Sequence, residues 1–287
     1  MTRPVPPRAR FNEAGSLSFR AQSQGVPLSE GSILRLRFGA NEPSVGEEMR
    51  GWHRAPLLAH STWAEALGVS VIAPITSATS DDGSTKVLFR AIPLGAGVSG
   101  QDRDGLILTA QADSIAAETL ARLLNVGDAA LTKSRLREDD RTSARRSLQS
   151  ILVREPLVRT SHRLGTLTLS PGDVVLLKDG DTVTPWALVS NDIWLELCSL
   201  AYRHSRKLGG LTRAVAAFVP LFDYQAPCEE LVVPIDRPQP GLPNGGHCRF
   251  HRLRTRSTGR IVSVEGPLED DVLEAIALGL RCFLEGQ

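Results

Sequence analysis

Trp52, His53 and Arg54 stand side by side in the stretch GWHRAPLLAHS, Gly51 to Ser61, directly ahead of Pro56 and a run of apolar residues. Together they offer an aromatic face, an imidazole that titrates near neutrality and a guanidinium that stays charged. An arginine fork binds phosphate oxygens two at a time, and a histidine beside it can move a proton. Trp52 can stack on an unpaired base, an interaction worth about 1–3 kcal/mol per base in single-strand recognition. Each residue also has a plainer reading: a solvent-facing loop histidine, an ion-paired surface arginine, a tryptophan anchoring its loop in an apolar niche. A second cationic set lies in RFHRLRTRSTGR, where a period of two puts Arg252, Arg254 and Arg256 on one face of an extended strand. That face can bind phosphate or simply be a solvated basic strand. In GGHCRFH the trio His247, Cys248 and His251 lacks a second ligand pair, so no metal and no cofactor are expected. His60 reads as structural.

These side chains need a frame. With 287 residues, 41% of them hydrophobic and 23% charged, the chain has the composition of an ordinary globular protein and room for two domains. A net charge of +1 leaves no whole-chain field to attract nucleic acid, so any basic surface is local. No apolar run approaches the roughly 18 residues that cross a bilayer, and the N-terminus MTRPVPPRAR lacks a signal-peptide core; the expectation is a cytoplasmic protein that makes no membrane contact. Cys198, Cys228, Cys248 and Cys282 form no CxxC pair and are expected to be reduced.

Residues 1–28 are rich in proline and read as an irregular arm. SILRLRF alternates Leu34, Leu36 and Phe38 with Arg35 and Arg37, the pattern of a strand with one buried face. After a polar loop come the strand candidates APLLAHS, SVIAPI, TKVLFRAI and DGLILTAQ, then a helical period from about Ser134 to Val153. Several strands closed by one amphipathic helix suggest a small barrel with a helix on it. The second half repeats that order and ends on PLEDDVLEAIALGLRCFLE, whose apolar stripe runs through Leu268, Val272, Ile276, Leu280 and Phe283, with Pro267 in the first turn. Pro74 and Pro220 lie 146 positions apart, as do Ile115 and Ile261. Aligned on that offset, Arg254 and Arg256 fall opposite Leu108 and Ala110.

The order GSILRLRF, polar loop, HRAPLLAHS, SVIAPITS, GQDRDGLILTAQADSI and terminal helix resembles one subunit of the MazF/PemK/Kid toxin family. Residues 29–155 carry the resemblance, and 156–287 resemble a second, degenerate copy. The resemblance implies a mainly β, α+β fold: two SH3-like barrels of the PemK/CcdB kind, each closed by a C-terminal helix and paired as an intramolecular pseudo-dimer. It also implies metal-independent cleavage of single-stranded RNA. Arg54 falls on the family's catalytic arginine and Thr76 on its catalytic threonine. Ser77 belongs to the matching P-x-T-[ST] turn and Gln111 to the D-Q strand, although Ala110 stands where many members have an acid. In the second half the matching positions are Thr184 and Phe222, so that copy looks catalytically empty.

Such cleavage turns the 2′-hydroxyl on the adjacent phosphate. It therefore needs a base, an acid and a cation for the phosphorane. Arg54 suits the phosphorane, Thr76 can donate to the same phosphate, and His53 is the candidate base, with Trp52, Ser77, Gln111, Arg252, Arg254 and Arg256 as RNA contacts. A small antitoxin protein is the implied partner, and a fused pair can act as a monomer. The competing readings are a non-catalytic pseudo-dimer that holds RNA or protein, and a gyrase-poisoning toxin.

Overall fold

The computed structural model describes residues 19–20, 27–38, 51–79, 82–85, 88, 90–98, 102–179, 181–208, 215–226 and 231–286. The polar loop after SILRLRF and Cys228 lie outside them. In chain order the first half contains β1 (Phe19–Arg20), β2 (Pro27–Leu28), β3 (Ser32–Phe38), β4 (Gly51–Pro56), α1 (Ser61–Leu67), β5 (Val69–Ile72), β6 (Ile75–Ser77), β7 (Ala91–Leu94), β8 (Gly105–Leu108), β9 (Asp113–Ala116), α2 (Ala117–Asn125), β10 (Ala129–Arg135) and α3 (Glu138–Gln149). The second half contains β11 (His162–Leu164), β12 (Leu167–Leu169), β13 (Asp173–Asp179), β14 (Thr182–Leu188), α4 (Asp192–Leu208), β15 (Val215–Phe222), β16 (Val233–Ile235), β17 (Gly246–Cys248), β18 (Arg254–Ser257), β19 (Ile261–Pro267) and α5 (Asp270–Glu285). The protein is thus mostly β with helices, and no described helix is long and apolar enough to cross a membrane.

Alternation in β3 works as the pattern demands: Leu34 and Leu36 are buried and Arg35 and Arg37 exposed. The stripe of α5 is likewise internal, with Leu268, Val272, Ile276, Leu280 and Phe283 all buried. Three local expectations are corrected. The helix expected from Ser134 begins at Glu138, because β10 holds Ala129–Arg135 against β3. Glu138, Asp139 and Asp140 fill its first turn, where carboxylates suit the positive helix end. Pro267 closes β19 opposite Asp173 and does not start α5. APLLAHS is not a strand of its own: the strand is GWHRAP, and helix α1 begins at Ser61. Within the arm read as irregular, Phe19–Arg20 pairs antiparallel with Pro27–Leu28.

Six strands form one sheet in the order β10-β3-β4-β6-β8-β7. The larger sheet runs β19-β13-β14-β15-β18-β9-β5, with β16 and β17 attached at β15. Among the described residues neither sheet closes, so the expected closed barrels are not found. The reason lies in β9: one edge pairs with β5 and the other with β18 from the far half, with Arg254 opposite Asp113. Both hydrogen-bonding edges of β9 are therefore occupied, and it cannot seal a barrel around the first half. Across this seam the Ser114 N–H donates to Leu253 O at 2.7 Å and the Thr255 N–H to Ala112 O at 3.1 Å. One contiguous apolar cluster spans both halves, from Ile33 to Leu284.

Candidate functional site

β4 lies between β3 and β6, and its register decides what meets. Arg54 stands opposite Arg35 on one side and Ile75 on the other. The chain enters β4 through Gly51 at φ 79°, a left-handed conformation that favours glycine. Next to it β6 aligns Thr76 with Leu106 and Ser77 with Gly105 on β8. A Cβ on Gly105 would lie 3.1 Å from Ile75 Cγ2 and 3.3 Å from Thr76 O, so the close approach of β8 depends on that glycine.

These strands floor an open cleft of about 730 Å³. Trp52, His53, Arg54, Thr76 and Ser77, all named from sequence, line it. Sequence reasoning missed Arg35, Asp102 and Arg103, which line it too. The Arg35 guanidinium lies over the Trp52 ring, 5.0 Å from its centroid, and Trp52 remains 42% exposed. Trp52 is therefore half of a cation–π pair at the cleft wall, with ring surface still open. His53 is a strand residue, not the loop-edge residue expected. Its ring meets Phe38 edge-on at 6.0 Å, and its Nδ1 lies 3.3 Å from the Ile75 carbonyl. A carbonyl only accepts, so Nδ1 is the donor in that contact. The Ser77 hydroxyl accepts from the Thr79 N–H at 3.3 Å and lies 3.2 Å from Thr79 Oγ1, which fixes a turn at the cleft edge.

The other sequence-derived contacts lie elsewhere. Gln111, in the short 3-10 turn Thr109–Gln111, does not line the cleft, and its Oε1 is buried without a partner among the described residues. Arg252, Arg254 and Arg256 do not share a strand face. The chain turns through Phe250–Arg252 before β18 begins at Arg254. Asp113 faces Ile72 on β5, and Arg254 faces Phe218 on β15. Arg254 lies over Trp186 at 6.0 Å, and Arg256 Nη1 binds both Asp113 carboxylate oxygens at 2.8 and 3.0 Å. The Arg256–Asp113 contact crosses between the two halves, whereas Trp186 lies in the same half as Arg254.

In the second half, β14 carries Thr184 and Pro185, with Trp186 opposite Pro220. Thr184 Oγ1 accepts from the Trp186 indole N–H at 2.8 Å. Phe222 stacks on His247 at 5.0 Å, meets Tyr224 edge-on at 5.6 Å and carries the Arg249 guanidinium at 4.6 Å. The His247 Nδ1–H donates to Tyr224 O at 2.7 Å, and no described group of three His, Cys, Asp or Glu residues is placed to hold a metal.

No family model matches the chain, and no curated protein matches it. Among solved structures it is similar to MazF from Deinococcus radiodurans (20% identity, 42% of this chain, 92% of that chain, TM-score 0.31). It is also similar to the MazE–MazF complex of that organism (18% identity, 42% and 90%, TM-score 0.29). A third similar structure is an endoribonuclease in complex with its cognate antitoxin from a mycobacterial species (20% identity, 38% and 93%, TM-score 0.25).

Proposed function

We propose that the chain is a toxin-type endoribonuclease that cleaves single-stranded RNA in the Arg54 cleft, without a metal. The carrying observation is the set of side chains gathered there from β3, β4, β6 and the segment before β8: Arg35, Arg54, Arg103, His53 and Thr76, against the single carboxylate of Asp102. Three arginines and one aspartate among the described lining residues favour a polyanion over a divalent cation.

In this scheme His53 Nε2 takes the proton of a 2′-hydroxyl, whose oxygen attacks the adjacent phosphorus. Arg54 binds the crowded phosphorane with a two-pronged contact, and Thr76 donates to a non-bridging oxygen. As the bond to the 5′-oxygen breaks, Arg54 protonates the leaving alkoxide, for which a guanidinium is acid enough. The products are a 2′,3′-cyclic phosphate and a 5′-hydroxyl. Trp52 offers its exposed face to a base beside the scissile phosphate.

The proposal includes a tandem origin, residues 29–155 and 156–287 being related copies with only the first active. The antiparallel pairings of β5 with β9 and of β15 with β18 support it. A small acidic antitoxin protein covering the cleft is the expected partner, and the fused chain acts in the cytoplasm as a monomer. The test is purified protein with single-stranded RNA in excess chelator, the product ends being analysed for cyclic phosphate. Arg54→Ala abolishes cleavage on this reading while leaving the melting temperature unchanged. Uncut RNA, or equal cutting by the variant, removes the mechanism; binding without cutting makes the cleft a binding site only.

A further inference from the structure

A second cleft, of about 720 Å³, lies between the β11–β12 hairpin and helix α4, away from any residue used above. Its chemistry is one-sided. Ser161, His162, Arg163, Ser199, Tyr202 and Arg203 line it, with no carboxylate among the lining residues.

The two arginines are held in a particular way. Arg163 donates its Nε–H to Gly165 O at 3.3 Å, and Arg203 donates its own to Ser199 O at 3.4 Å. Ser199 Oγ in turn donates to the Arg163 carbonyl at 2.8 Å, so one serine fixes the spacing of both. Each guanidinium is thereby held at Nε, and both arginines line the cleft. Neither has an acidic partner among the described residues. Several other arginines do: Arg141 and Arg145 bind Glu30, Arg159 binds Asp270, Arg237 binds Glu269 and Asp271, and Arg256 binds Asp113.

The carboxylate at the start of the helix is already engaged. Asp192, at the start of α4, is occupied by His162 Nε2 at 2.8 Å and the Thr160 N–H at 3.1 Å. The sequence after Arg203, HSRKLGGLTRA, adds Arg206, Lys207 and Arg213 and contains no acidic residue. In a chain of net charge +1 this stretch concentrates cations with no neutralising set beside them in the sequence. The hairpin is also built to hold its position over the helix. Gly165 turns at φ 69°, and a Cβ there would meet the Tyr202 hydroxyl at 2.9 Å, so Tyr202 packs against the turn and forms one wall of the cleft.

We infer that this cleft is a phosphate-binding subsite for the backbone of single-stranded RNA, with the Arg163 and Arg203 forks as its ligands. Two anchored forks suit phosphodiester oxygens, which accept in pairs. Tyr202 offers an aromatic surface of the kind on which unpaired bases stack. The choice of RNA as the source of phosphate rests on the endoribonuclease reading. The subsite gives the half without a cutting centre a role in holding substrate.

The experiment measures binding of a fluorescent single-stranded RNA by anisotropy across a salt series. It uses the full chain in an Arg54→Ala background, so that cutting does not interfere. Each phosphate neutralised on a single strand adds roughly 0.7 to the slope of log affinity against log salt. Arg163→Gln with Arg203→Gln should therefore weaken binding and lower that slope by about 1.4. Arg237→Gln, which removes an ion-paired cation, controls for general charge loss and should leave the slope unchanged. With Arg54 restored, the double variant should raise KM and keep kcat. An unchanged slope, or an equal change in the Arg237→Gln control, overturns the subsite. Tight inorganic phosphate binding that depends on the two arginines, with no effect of the pair on RNA, assigns the cleft to free phosphate and overturns the RNA assignment. If the chain binds RNA through these arginines but never cuts it, the subsite stands and the endoribonuclease reading falls.

Discussion

His251 links the fold to pH in a way that can be measured cleanly. It is 7% exposed, its ring meets Phe250 edge-on at 5.5 Å and Phe283 at 6.5 Å, and its Nδ1 is buried without a partner. Burial, followed by the charges of Arg252 and Arg249, pushes its pKa from 6.5 down to about 4. Above pH 6.5 neither folded nor unfolded chain protonates this ring. Between 6.5 and 4 the unfolded chain takes up a proton that the folded chain refuses, so stability falls as the solution is acidified. A tenfold difference in proton affinity is worth about 1.4 kcal/mol, so the loss is about 1 kcal/mol by pH 5.5 and about 3 kcal/mol once the pH is below 4. His251→Phe keeps the aromatic packing and deletes the titration. Urea unfolding of both proteins at pH 7.5, 5.5 and 4 gives the difference in stability at each pH. Packing changes are independent of pH and cancel when these differences are compared. The variant should gain on the parent by about 1 kcal/mol at pH 5.5 and about 3 kcal/mol at pH 4, relative to pH 7.5. Parallel curves at the three values would refute the account of His251 as a ring kept neutral by burial.

Two further outcomes follow from contacts described above. Glu30 Oε1 forms ion pairs with Arg141 Nε at 2.9 Å and Arg145 Nη2 at 2.7 Å, all three side chains being largely buried, so Glu30→Gln should cost about 3 kcal/mol in urea unfolding. Gly105→Ala should push β8 away from β6 beside Thr76, costing about 1–2 kcal/mol of stability and lowering kcat for RNA cleavage more than it raises KM.

The elements whose pattern is local were legible in the residues. SILRLRF alternates because one face is internal, and the α5 stripe repeats at helical spacing because one side packs on the core. Helix α4 was missed although Asp192 opens it and Trp194, Leu195 and Cys198 are buried along one side; the run NDIWLELC gives few turns before polar residues take over. Arg35 was read only as the solvent side of an alternating strand. It is exposed, but the register that sets it opposite Arg54 makes that exposed side the cleft. Asp102 and Arg103 lie in GQDRDG, where nothing local says which strand edge the segment will approach. The seam had no local signal either: strand register depends on the partner, and the partner of β9 lies far along the chain.

That distance has a consequence during synthesis. When Asp113 is added to the growing chain, Arg254, its pairing partner, is 141 residues from being made. At about 5–20 residues per second, β9 waits roughly 7–28 s with one edge unpaired. An exposed edge of that kind is where neighbouring nascent chains on one messenger join. β9 is four residues long and opens on Asp113 and Ser114, so the carboxylate that later clasps Arg256 first serves to keep other strands away.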